Sequence, residues 1–203
     1  MNPNIVNHDA LRVATLAQDM TSEYFAHVAA MYVARHPRAI DLSPGIEVGQ
    51  NVPILRIPRR DGTDMTIWFN HFLEINQRPT TAQAFDKVWL TGALLAVGDA
   101  LGEHNYFDPC PEAQMIRHLR NGIAHGNRFD FHPKVIDQKT GKLKRPANTF
   151  RYSPLQRMPI YQIDTHLQGQ EVLWGWGGPD AVVDCLIMLG VHLFNVAHGT
   201  QHQ

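Results

Sequence analysis

Arg120, Asn121 and His125 bring a fixed cation, an amide and a proton-transfer group into one short stretch of the chain. A guanidinium stays charged and forks onto phosphate oxygens, while an imidazole titrates near neutral pH and serves as acid or base. Met115, Ile116, Leu119 and Ile123 make an apolar stripe at helical spacing, which leaves Arg117, His118, Arg120, Asn121 and His125 around the other side. Asn121 and His125 are neighbours on one face, whereas Arg120 points about 140° away from His125 at roughly 100° per residue. One copy of this helix does not close around a phosphate. Two copies about a twofold axis would bring both Arg120 and both His125 side chains to a shared cleft, so a catalytic site here predicts a homodimer with a composite active site.

The run Arg120-Asn121-Gly122-Ile123-Ala124-His125 resembles the signature of the HEPN family, an Arg, then a polar residue, then a His shortly afterwards. The resemblance extends to layout, since HEPN domains are small helical bundles that carry the motif near the end of one helix and pair to form a composite cleft. It implies metal-independent RNA cleavage without a cofactor. That reaction needs a base for the ribose 2′-OH proton, an acid for the leaving 5′-oxygen, and cations on the pentacovalent phosphate. By the resemblance His125 takes the first two roles, Arg120 the third, and Asn121 orients His125 or contacts the RNA. It further implies a toxin or anti-phage defence role and an antitoxin or other regulatory partner. Many relatives carry a tyrosine two residues after the histidine as a modification site; Asn127 stands there in this chain.

Other residues extend this cluster. Arg117 and His118 are supporting candidates on the same helix, and Asp99 and Glu103, near the end of the preceding helical pattern, offer a carboxylate to pair with Arg120 or orient His125. The plainer alternative for that pair is an exposed helix end; for Arg120 and His125 it is solvated cations offsetting a helix dipole. From Lys134 to Arg157 basic residues dominate: Lys134, Lys139, Lys142, Lys144, Arg145, Arg151 and Arg157 against Asp137, with Phe150 and Tyr152 interleaved. Such a segment can hold RNA backbone and stack bases, or simply form a solvated loop. His104, His118 and His132 lack the spacing of a metal site, so no metal is expected. No Gly-rich phosphate loop or nucleophile elbow supports a kinase, GTPase or serine-hydrolase reading.

The elements that must position these groups read as mainly helical. Helical patterns run over about 9–35, 80–103, 109–125 and 179–198, the third started by Asp108-Pro109 and stopped by Gly126. Asn7 or Asp9 caps the first and Pro37 stops it. The second has apolar residues around much of its circumference, which suits the centre of a bundle. Between them lie two non-helical insertions, about 41–77, with a β-hairpin around Asp61-Gly62, and about 127–176, with turns at 139–142 and 168–170 between short extended pieces. The expected fold is therefore all-α, a HEPN-like bundle of about four helices with short hairpin or loop insertions, in a single domain spanning 1–203.

Hydrophobic residues make up 44% of the 203, enough for one sizeable core. The net charge of -1 excludes attraction of nucleic acid by bulk charge, so an RNA site has to be a local patch. Two cysteines, Cys110 and Cys185, and an opening without a charged, apolar leader point to the cytoplasm. The apolar stretch Ala181–Ala197 is interrupted by Asp184, His192 and Asn195 and reads as a core helix rather than a membrane span. The reading is an endoribonuclease acting on RNA. The alternative is a catalytically inactive dimer that binds RNA or protein through the same cleft.

Overall fold

Asn7 starts the first helix, its side-chain oxygen accepting the Ala10 N–H at 3.1 Å in the computed structural model of the chain. The structure describes residues 6–46, 49, 51–145, 147–151 and 158–200, with the backbone alone at 149–151 and 158–160. Helix α1, His8–Ala34, ends just before Pro37, and α3, Pro79–Glu103, α4, Pro111–Ala124, and α5, Gly178–Ala197, complete the four long helices. The hairpin forms where Asp61-Gly62 places it. Strands β1, Ile54–Pro58, and β2, Asp64–Trp68, pair antiparallel with Arg56 opposite Thr66, and Gly62 takes the positive φ of 81° that the turn requires.

Three expectations change. The first insertion is not wholly non-helical: Phe69–Gln77 forms a further helix, α2, between the hairpin and α3. The second insertion carries a true antiparallel pair, β3, Ala147–Arg151, and β4, Met158–Ile163, so the chain is mainly helical with two small sheets. Helix α4 starts at Pro111 rather than Pro109, because a proline forces the residue before it out of the helical region and Cys110 is extended at φ -155°, ψ 160°. Asp108 is thereby released from capping; it accepts a hydrogen bond from Gln114 Nε2 at 2.8 Å and pairs with Arg145. The apolar residues of α3 spread around the helix, as the sequence leads one to expect, and one side of them is buried. Trp89, Leu90, Ala93, Leu94, Val97 and Leu101 are buried at helical spacing, while Val88 is 72% exposed.

The chain divides into two compact units, Met1–Glu23 with Lys87–Gln203, and Tyr24–Asp86. The first contains α4 and α5 with β3 packed on both. Its core joins Leu90, Leu94 and Leu101 of α3, Met115, Ile116 and Leu119 of α4, and Leu186, Leu189 and Leu193 of α5, all fully buried. At about 1.5–3 kcal/mol per fully buried large apolar side chain, this layer fixes α4 and hence every residue on its polar face. Helix α5 is long and apolar enough to cross a membrane by length and composition, yet half of that stretch is buried inside the protein. The second unit has a smaller core built on Met31, Ala34, Ile54 and Phe69.

Candidate functional site

Helix α4 separates its two faces as the spacing requires: Met115, Ile116 and Leu119 are fully buried, and Arg117, His118, Arg120 and Asn121 are partly exposed. Arg120 turns toward α3, where its Nε and Nη2 donate to Asp99 Oδ1 at 3.0 and 2.8 Å. Gly98 allows that approach, since a Cβ there would sit 2.8 Å from Arg120 Cγ. Both side chains remain wet, at 36% and 62% exposed, so the pair contributes no more than about 1 kcal/mol to stability. What it provides is a fixed direction for the guanidinium. Glu103, the other carboxylate candidate, does not join: it lines a groove with residues of α1, including Arg12 and Asp19.

Asn121 and His125 lie one turn apart at the end of α4, with no side-chain polar partner among the described residues. His125 is the exposed residue that closes the helix, its N–H donating to Asn121 O at 3.0 Å. Gly126 follows with φ 87° and Asn127 with φ 60°, two successive left-handed residues that turn the chain sharply. Asn127 then clamps the far end of the second insertion. Its Nδ2 donates to Glu171 Oε1 at 2.9 Å and its Oδ1 accepts the Leu173 N–H at 3.2 Å. As the helix geometry requires, Arg120 and His125 do not converge within one chain.

A second cluster forms where the second insertion meets the middle of α4. A cleft of about 260 Å³ is lined by Gln114, Arg117 and His118 from the helix and by Lys134, Val135, Leu143, Lys144 and Arg145 from the insertion. A short ladder builds its outer wall: Lys144 N donates to Val135 O at 2.9 Å and Asp137 N to Lys142 O at 2.8 Å. Asp137 also accepts the Lys139 and Thr140 N–H groups at the loop tip, and these bonds hold its carboxyl below the usual range. His118 packs edge-on against Phe131 at 5.3 Å, and Arg117 sits 5.6 Å over the Phe107 ring. Burial, and then the charge of Arg117, push His118 down to about 4, so its imidazole is neutral at pH 7.

Of the basic residues flagged in the sequence, Lys134, Lys144 and Arg145 thus reach the cleft, joined by Arg117 and His118. Lys139 and Lys142 stay on the exposed loop tip. The side chain of Arg151, and Tyr152 and Arg157 entirely, lie outside the described residues. Among the described residues no three His, Cys, Asp or Glu side chains gather as a ligand set; His118 is in the cleft, His104 faces Asp9 at 3.7 Å, and His132 accepts the Lys134 N–H. The Cys110 thiol is buried, and burial together with the Glu112 carboxylate raises it to about 12. Sequence reasoning missed Gly98 and the clamp by Asn127. A small residue next to Asp99, and an Asn directly after a helix-ending Gly, were the available signals. No family model matches the chain, and neither a curated protein nor a solved structure matches it.

Proposed function

We propose that the chain is a HEPN-type, metal-independent endoribonuclease that works as a homodimer. The observation that carries this reading is the end of α4: an exposed, unengaged imidazole at His125, an amide one turn before it, and a guanidinium at Arg120 aimed by Asp99. In the proposed reaction His125 takes the 2′-OH proton, the 2′-oxygen bonds to phosphorus, and the bond from phosphorus to the 5′-oxygen breaks. That oxygen leaves with the proton that His125 took up, passed on directly or through water, giving a 2′,3′-cyclic phosphate and a 5′-hydroxyl. Arg120 neutralises the phosphate as negative charge builds on its oxygens. The separation of Arg120 from His125 on one helix supports a composite site with one group from each copy. The HEPN-like bundle, the toxin or anti-phage role, the regulatory partner and the cytoplasmic setting belong to the same proposal and rest on the motif resemblance.

Incubation with mixed structured and single-stranded RNA in excess EDTA, beside His125→Ala and Arg120→Ala, tests it. Cleavage by the wild type alone, leaving 2′,3′-cyclic phosphate ends, is the expected result. Equal background in all three overturns it. A second reading, an inactive dimer that binds RNA or protein, is favoured by the Arg120–Asp99 ion pair itself, because a guanidinium already holding a carboxylate has less to offer a phosphate.

A further inference from the structure

We propose that the cleft between α4 and the 134–145 segment is a nucleotide subsite that holds one phosphorylated nucleotide of the RNA strand and delivers the strand to His125. Its lining carries Arg117, Lys134, Lys144 and Arg145 together with the apolar residues Val135 and Leu143. Asp108 neutralises Arg145, while the Asp137 carboxylate near Lys144 is held by the Lys139 and Thr140 N–H groups, so the cleft keeps a positive excess from Arg117, Lys134 and Lys144. A chain with a net charge of -1 has no bulk attraction for RNA, which makes this local excess the place where backbone phosphates gain most. A purely cationic groove would suit any polyanion. Here the apolar lining by Val135 and Leu143 and the neutral imidazole of His118, which offers one donor and one acceptor, suit a base beside its phosphate. The volume of about 260 Å³ limits the occupant to about one nucleotide.

Placement along α4 supplies the link to the reaction. His118, Asn121 and His125 are spaced three and four residues apart, so they form one line about 10 Å long on a single helix face. A strand seated at His118 therefore passes Asn121 and reaches His125 without leaving the helix. The loop is built to hold this shape: Thr165 Oγ1 donates to Gly141 O at 2.8 Å, and the Asp164 carboxylate accepts the Leu143 N–H at 3.4 Å. This inference rests on the ribonuclease reading for its delivery role, but its binding chemistry is separately measurable.

The test uses full-length His125→Ala protein, which retains the cleft, and a fluorescent single-stranded RNA titrated at several salt concentrations. Lys134→Ala/Lys144→Ala should weaken binding at least tenfold near 0.1 M salt. It should also lower the slope of log K against log salt by about 1.4, about 0.7 for each lost phosphate contact on a single strand. Lys134→Arg/Lys144→Arg should restore most of the affinity, and Lys139→Ala/Lys142→Ala at the loop tip should change little. All replaced side chains are exposed, and a thermal melt confirms folding. AMP added alone separates the sources: saturable AMP binding abolished by the double alanine variant supports the subsite with a free nucleotide as occupant, and cleft-dependent RNA binding without it supports a strand. Equal losses at the tip and in the cleft, or no loss in either, overturn the subsite. Wild-type cleavage is scored separately: cleft-dependent binding without cleavage removes the ribonuclease reading alone, and cleavage with cleft-independent binding removes the subsite alone.

Discussion

His118 shows how one residue's surroundings set its chemistry. On the sequence it is one more basic side chain on a cationic face; in the fold it is pressed against Phe131 beside Arg117, and both effects keep it neutral. This has a consequence for stability. With the unfolded pKa near 6.5 and the folded value near 4, acidification through this window gives the unfolded chain a proton that the folded chain refuses. Stability from this residue is therefore complete above about pH 6.5 and falls as the pH drops toward 4, by no more than about 3 kcal/mol. The charged groups that line the cleft with it are Arg117, Lys134, Lys144 and Arg145. His118→Gln should accordingly flatten the drop in urea midpoint between pH 7 and pH 4.5 relative to wild type, and parallel curves would refute the burial account.

At the scale of elements, the turn after α4 matters most, because it joins the motif helix to the insertion that forms the cleft. Asn127 is the residue that adopts the left-handed turn and also bonds both Glu171 and Leu173. Asn127→Ala removes two hydrogen bonds and puts an unfavourable residue at φ 60°, so a loss of about 2–3 kcal/mol in chemical denaturation is expected. Asn127→Gly keeps the backbone conformation and should lose only the bonded part, about 1–2 kcal/mol; equal losses would assign the whole effect to the bonds. The long helices, the first hairpin and the turns at Gly141 and Gly169 were legible in the sequence, because apolar periodicity and glycine placement are local signals. Helix α2 was not, since nine residues between a hairpin and Pro79 leave only Phe69, Phe72 and Leu73 to mark a face. The shifted start of α4 came from two competing prolines, decided by Cys110. Of the candidate site, the divergence of Arg120 and His125 could be read from helix geometry, whereas the choice of Asp99 over Glu103 as the partner of Arg120 needed the fold. The cleft could not, because it depends on a long-range meeting of α4 with the insertion.

For the molecule as a whole, the proposed ribonuclease reading turns on how many chains would make one active site. Arg120 leans on α3 and His125 stands at the end of α4, so a single chain presents the two groups in different directions. Self-association alone would not establish a composite site: Tyr32 and Leu42 of the second unit, 77% and 66% exposed, line one groove and offer another apolar surface for it. Mixing inactive variants separates these cases. When Arg120→Ala and His125→Ala chains are combined and allowed to exchange, half of the dimers carry both lesions, one on each chain. If a site takes its guanidinium from one copy and its imidazole from the other, each such dimer has one intact site of two, and the mixture recovers about a quarter of wild-type activity. If both groups act within one chain, every site in the mixture lacks one of them and cleavage stays at background. Recovery should also depend on concentration, falling as dilution dissociates the dimer, because the site then exists only while two copies are held together.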